Sequence, residues 1–256
     1  MNTDTVDFYD GLAADYHLVW GDRWDEAVAR QGAALARLIH RARSDAVTVL
    51  DCSCGIGTQA IGLAREGFRV TGTDISDVSI ARARAEAVRL DADVDFGVAD
   101  FRDLREVSGR FDVVLSADNA LPHLLNDADL VQALTAMRSR LRSGGLLIVT
   151  MRDYDQALAE RPPTAAPLLV AGPPRTVIVR LHDWDTPTSS LYTVRFLICT
   201  ENADGEWSVK EHKARYRAVT RQAFTDLLQR AGFAHPQWQT GAEAAFHQPV
   251  VVATAP

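Results

Sequence analysis

The chain has 256 residues, 47% of them hydrophobic, enough to bury one main domain with an elaboration. Its 34 acidic residues outnumber the 27 basic ones, and a net charge of -7 gives no general attraction to phosphate backbones, which argues against nucleic acid as a partner. Three cysteines make no disulfide framework, residues 1–7 lack the apolar run of a signal peptide, and no stretch approaches the ~18 apolar residues of a membrane span, so a cytoplasmic protein is expected.

Taken in chain order, a dense group of aromatics (Phe8, Tyr9, Tyr16, Trp20, Trp24) precedes a helix over 24–40, whose apolar residues Ala27, Ala34, Leu35, Leu38 and Ile39 recur at helical spacing. Strands follow at 47–51 and 69–74. Ser76 is placed to cap a helix over 77–91, because its hydroxyl can accept an unpaired helical N–H. Further strands are predicted at 94–98 and 111–116. A helix over 128–142 is capped by Asn126 or Asp127 and ended by Ser143-Gly144-Gly145, before a strand at 146–151. Strands alternating with helices predict a parallel sheet covered on both faces. Five prolines between 153 and 174 (162, 163, 167, 173, 174) then forbid a long helix and predict an irregular connector. Three antiparallel strands (175–182, 191–200, 207–219) follow, forming a cap over the carboxyl edge of the sheet. A helix from Thr220 to Ala231, stopped by Gly232, and two strands (233–239, 247–254) complete the sheet. The expected organisation is a main domain of 1–152 and 220–256, with 153–219 inserted as a cap.

The first strand ends at Asp51 and turns through Cys52-Ser53-Cys54-Gly55-Ile56-Gly57 straight into a helix. Such a unit presents backbone N–H groups to a nucleotide-like ligand, and glycines let that ligand lie on bare backbone. The second strand ends in Asp74, about twenty residues on, where a carboxylate can accept both hydroxyls of a ribose. Ala60 stands where a dinucleotide fingerprint would have a third glycine, a variation that settles nothing by itself. Asp51 discriminates. A carboxylate beside the loop repels a pyrophosphate but suits a ligand carrying an ammonium and a sulfonium, which points to S-adenosylmethionine. Cys52 and Cys54 lack a second Cys/His pair and read as loop packing, with no metal expected.

On the segments Leu50-Asp-Cys-Ser-Cys-Gly-Ile-Gly57, Gly72-Thr-Asp-Ile-Ser-Asp77, 99–104, 118–124 and 151–155, the chain resembles the class I S-adenosylmethionine-dependent methyltransferases, and within them the glycine N-methyltransferase-like group. The resemblance implies a Rossmann-like α/β fold whose cofactor would meet Asp51 with its amino group, Gly55, Gly57 and Thr58 along the loop, Asp74 and Ile75 at the ribose, Asp100 and Phe101 at the adenine, and Ala117 near the sulfonium. It further implies that the N-terminal segment folds over the site, with Tyr16 and Trp20 as site members, and that Arg30 grips the methionyl carboxylate. On the acceptor side it points to Asn119 and His123 as the catalytic pair, Arg152 on an anion, and Tyr154, Tyr192 and Tyr216 lining the pocket.

Displacement at a sulfonium draws mainly on proximity, orientation and exclusion of water, so no dedicated nucleophile is required. The expected activity is therefore methylation of a small metabolite, first an anionic amino acid or amine on nitrogen. O- or C-methylation of a carboxylated or phosphorylated intermediate is the alternative, and would need a base from among His123, His182, His247 or Glu243. The cap arginines Arg175, Arg180, Arg195, Arg215, Arg217 and Arg221 bear on this choice. Should several converge on the cleft, a more highly charged acceptor is implied. Outside this class stand a protein that binds the cofactor without turnover, disfavoured by Asn119, His123 and Arg152, and an NAD-dependent oxidoreductase, disfavoured by Asp51. A homo-oligomer is compatible with the sequence.

Overall fold

Val49, Leu50 and Asp51 form the middle of the molecule because their side chains alternate across a sheet that is covered on both faces. A computed structural model describes residues 3–21, 23–170 and 174–256. Its main sheet has seven strands: β1 (Thr48–Asp51), β2 (Arg69–Asp74), β3 (Val94–Val98), β4 (Phe111–Ser116), β5 (Leu141–Thr150), β10 (Ala234–Gln239) and β11 (Val250–Thr254), in the order β10-β11-β5-β4-β1-β2-β3. β1 to β5 are mutually parallel, whereas β11 runs antiparallel to both β5 and β10. The order reverses beside β1, and an open α/β sheet leaves its crevice for ligands at such a switch point.

The pleat sorts the core into two layers. Val49, Val113, Leu115 and Ile148 face α2 (Trp24–Ala42), α3 (Thr58–Arg65) and α4 (Asp77–Arg89), while Leu50, Val114, Leu147 and Val149 face α5 (Asp127–Ser139) and α7 (Arg221–Arg230). α2 and α3 cross at bare backbone. A Cβ on Gly32 would fall 2.5 Å from the backbone of Gly62, and one on Gly62 would fall 2.5 Å from the Val28 carbonyl. That crossing brings α2 hard against the helix that starts the ligand loop. Ser76 and Asn126 cap α4 and α5 through their side chains, and Thr220 caps α7, as the sequence predicts. No described helix is long and apolar enough to cross a membrane.

Between α6 (Tyr154–Glu160) and α7 stands a second, antiparallel sheet of β6 (Thr164–Val170), β7 (Thr176–Trp184), β8 (Leu191–Glu201) and β9 (Trp207–Arg217). It has four strands where three were expected. The proline-rich connector holds a short helix and β6, an edge strand that tolerates Pro167 because it pairs only with β7 and slips register between Ala165 and Leu168. Pro173 lies outside the described residues. Two further expectations are corrected. α5 ends at Ser139, and Ser143, Gly144 and Gly145 belong to β5, where Gly144 takes φ +71° and the pairing jumps from Phe111–Leu141 to Val113–Leu146. A short helix α8 (Gly241–Ala244), closed by a Thr240–Glu243 capping box, precedes β11, which begins at Val250 instead of 247.

The N-terminal α1 (Thr3–Leu12) and a 3-10 turn (Tyr16–Trp20) lie across the junction of the two sheets. Phe8 packs 5.9 Å from Phe196 of the second sheet and Lys210 pairs with Asp15. On the other side, Asp10 accepts the Ser76 hydroxyl, and the Ala13 and Ala14 carbonyls accept the Arg82 guanidinium.

Candidate functional site

The loop after β1 is pinned at its start and left open at its crown. Cys52 N–H donates to the Leu115 carbonyl at 2.9 Å and Cys54 N–H to the Thr73 carbonyl at 3.0 Å, fixing the loop to β4 and β2. Both thiols are buried, in agreement with a packing role. Gly55 and Gly57 take φ of +52° and +93°. A Cβ on Gly57 would strike Ile61 at 2.9 Å, whereas one on Gly55 would project into open space. That space is the first cavity, about 670 Å³ counted to its open mouth, with Gly55, Thr58, Asp74, Ile75 and Phe101 among its walls and Asp100 and Ala117 further along.

Asp74 holds the loop's shape: Gly55 N–H donates to one of its oxygens at 2.9 Å and Ser76 N–H to the other at 3.0 Å. Each carboxylate oxygen keeps a second lone pair, so the group can still accept the two hydroxyls of a ribose. Burial pushes its pKa up. Asp100 is clasped by Arg102 at 2.6 Å and Thr58 accepts the Trp24 indole N–H at 3.1 Å. Asp51 lies behind the loop, fully buried and outside the wall of the cavity. One of its oxygens accepts the Ser53 N–H at 3.3 Å and the other has no partner among the described residues, while burial pushes its pKa up to about 8. An orphaned acid beneath the loop is a fit for a ligand with a cationic end and unsuited to a diphosphate. Arg30 is exposed on α2 and the structure does not bring it to either cavity.

A second cavity, about 840 Å³ with its mouth, lies beside the first and shares Tyr9, Tyr16 and Asp118 with it. At this junction Asp118 and Asn119 both adopt left-handed backbone, φ +55° and +69°. Such residues cost of order 1–3 kcal/mol each and persist only where surroundings over-determine them. Here Asp118 N–H donates to the Thr150 hydroxyl at 2.9 Å, Asn119 N–H to the Thr150 carbonyl at 3.2 Å, Gln59 to one Asp118 oxygen at 2.8 Å, and His247 Nε2 stands 2.7 Å from the other. The Asn119 side-chain oxygen accepts the Arg152 N–H at 3.1 Å. Trp20 meets His247 edge-on at 4.8 Å.

Arg152 and Arg180 reach the second cavity from β5's end and from β7. The Arg152 guanidinium donates to the Tyr192 hydroxyl at 3.4 Å, which is 3.1 Å from that of Tyr154, and lies 5.7 Å from the centre of the Tyr216 ring. Tyr216 therefore lines the cavity, whereas Tyr154 and Tyr192 are buried behind Arg152 and line neither. Tyr9, Gln59, Asp118, Arg180 and His247 belong to the site without having been assigned binding roles in advance. Gln59 carried a signal, in the first turn of the helix after the glycine loop; Tyr9 and Arg180 did not stand out from their neighbours.

His123 lines the first cavity only, its Nε2 2.8 Å from the Tyr9 hydroxyl, and burial followed by the charge of Arg152 pushes its pKa down to about 3. It is neutral and a poor proton acceptor. Between that value and the ordinary 6.5 the unfolded chain binds more protons than the folded one, so this histidine's stabilisation is complete above 6.5 and lost as the pH falls. Urea unfolding at pH 7.5 and 4.5 should show the wild type losing about 2–3 kcal/mol more than His123→Asn over that interval. Parallel losses would show that the imidazole is not buried neutral.

Residues 49–145 match a family model described as a methyltransferase domain. The glycine/sarcosine N-methyltransferase of Parasynechococcus marenigrum (strain WH8102) is 37% identical over 167 residues, 62% of this chain and 58% of that protein. The glycine N-methyltransferase of Oryctolagus cuniculus is 28% identical over 220 residues, 72% of this chain and 68% of that one. The chain spans 58% or less of the length of the first several curated relatives it matches. Among solved structures, the sugar N-methyltransferase KedS8 from Streptoalloteichus sp ATCC 53650 superposes with a TM-score of 0.76 at 17% identity, covering 93% of this chain and 92% of that one, a likeness of fold.

Proposed function

We propose that this chain, a class I methyltransferase resembling the glycine N-methyltransferase-like group, methylates a nitrogen of a small anionic metabolite. The carrying observation is the pairing of two cavities that meet at Asp118: one framed by the glycine loop and Asp74, the other ending in guanidinium groups. S-adenosylmethionine is the cofactor, and when bound along the loop it supplies a methyl group on positively charged sulfur for in-line displacement. Asp74 and the Gly55 backbone hold the nucleoside, and the cationic end draws the buried Asp51 carboxyl, kept largely protonated at neutral pH by its burial, into its charged form. Arg152 fixes the anionic end of the acceptor, while Asp118 accepts amine N–H groups and so aims the nitrogen lone pair across the junction. Residues 153–219 act as the cap over the acceptor, and α1 with its following turn excludes water from the junction.

The hydrogen bonds favour nitrogen over oxygen or carbon. An oxygen or carbon acceptor needs a base, yet His123 has a pKa of about 3, His182 lines neither cavity, and Glu243 caps α8 at the surface. His247 alone of these lines the second cavity, its Nε2 2.7 Å from Asp118, and is the group an oxygen or carbon acceptor would have to use. Calorimetric titration tests the reading: S-adenosylhomocysteine should bind tightly and NAD should not, and label should pass from the methyl group of S-adenosylmethionine to an anionic primary amine. Binding of NAD, or of neither ligand, would refute it.

A further inference from the structure

Five of the cap arginines named by the sequence are spoken for. Arg175 pairs with Glu201, Arg195 with Asp183 and Glu211, Arg215 with Asp185, Arg217 with Asp127, and Arg221 with Asp153 and Asp155. Arg180 is the exception. Its side chain has no hydrogen bond or ion pair among the described residues, it is only partly exposed, and it lines the same cavity as Arg152, which also lacks a carboxylate partner. Register explains the sorting. On β7, Arg180 pairs with Phe196, a wall of that cavity, whereas Asp183 three positions on points to Arg195 at the surface.

Two guanidinium groups stay charged at any physiological pH, and burying them together with no carboxylate in contact is costly; Asp118, the acid that lines the same cavity, is engaged with Gln59 and His247 at the junction. The cost is visible in Arg180, whose pKa is lowered first by burial and then by the charge of Arg152. One acceptor carboxylate can neutralise only one of the pair. We propose that the acceptor is an amine that also carries two negative charges, a phosphate monoester or a pair of carboxylates, clamped between Arg152 and Arg180. This rests on the second cavity being the acceptor's. Tyr16 and Tyr216, both close enough to Arg180 to influence its charge, offer hydroxyls for the remaining oxygens of such a group. Trp20, Val19, Leu12 and Phe196 supply apolar walls of the same cavity.

The test is calorimetric titration of the full chain, with and without saturating S-adenosylhomocysteine, using two near-isosteric pairs: O-phosphoethanolamine against taurine, and L-aspartate against L-asparagine. At least one doubly charged probe should bind tenfold or more tighter than its partner, and Arg180→Gln should reduce that ratio to below threefold while still binding S-adenosylhomocysteine. Preference for O-phosphoethanolamine identifies a phosphate, and preference for L-aspartate two carboxylates. Equal affinities within both pairs, or a preference that survives Arg180→Gln, would overturn the proposal. Failure to bind S-adenosylhomocysteine would instead sink the methyl-transfer reading, and the titrations without it would still decide the anion clamp.

Discussion

Asp74→Ala should weaken binding of S-adenosylmethionine by about 2–3 kcal/mol, or roughly 30- to 150-fold, because two hydrogen bonds to a charged acceptor disappear together. The substitution also releases Gly55 N–H and Ser76 N–H, which the carboxylate holds at 2.9 and 3.0 Å. A second effect follows: the thermal midpoint of the ligand-free protein should fall as well. Asp74→Asn separates the two, since an amide oxygen can keep one of the backbone donors and the isosteric side chain opens no hole. Its midpoint should lie nearer to wild type while its affinity stays low. An unchanged dissociation constant in either variant would show that Asp74 shapes the loop and touches no ligand.

Arg152→Ala should leave the affinity for S-adenosylmethionine intact and lower kcat/KM for the acceptor by 100-fold or more. A hydrogen-bonded charge pair inside a water-poor cavity is worth about 2–5 kcal/mol when one partner is removed, far more than an exposed pair. The Tyr154–Tyr192 hydroxyl pair behind the guanidinium holds it by geometry as much as by charge. Arg152→Lys should therefore recover only a minor part of the loss, because an ammonium cannot make the two-pronged contact of a planar fork. Loss of cofactor binding in Arg152→Ala, with acceptor affinity retained, would place this residue on the wrong side of the junction.

The parallel half of the fold was legible because each strand is a short apolar run closed by a polar residue. β2 and β4 were placed to the residue in this way, and β1 to within one. β6 was hidden because Pro167 signals a break, and only an edge position makes it harmless. The Ser143-Gly144-Gly145 run was misread for a related reason: a bulge in β5 uses the same residues as a helix stop. Within the site, Gly55, Thr58, Asp74, Ile75 and Arg152 line the cavities near their motif positions, whereas Asp51, Gly57 and Tyr154 line neither. The arginines of the second sheet were not separable by sequence. Six sit in similar strands or at their borders, and only their pairing with distant carboxylates, such as Asp127 for Arg217, distinguishes the one that is left over. Tyr154 and Tyr192 illustrate the converse, since both are close to the acceptor space yet serve it through Arg152.

The leading segment is fastened to two separate bodies: Lys210 on the second sheet through Asp15, and Ser76 and Arg82 on α4 through Asp10 and the carbonyls of Ala13 and Ala14. Tyr9 and Tyr16, carried on that same stretch, wall both chambers. The walls contributed by this stretch are therefore held from either side. Loosening a fastening far from the chemistry, as in Lys210→Ala, is then expected to quicken exchange of the nucleoside, and a dissociation rate unchanged by that substitution would show that the segment does not hold it in.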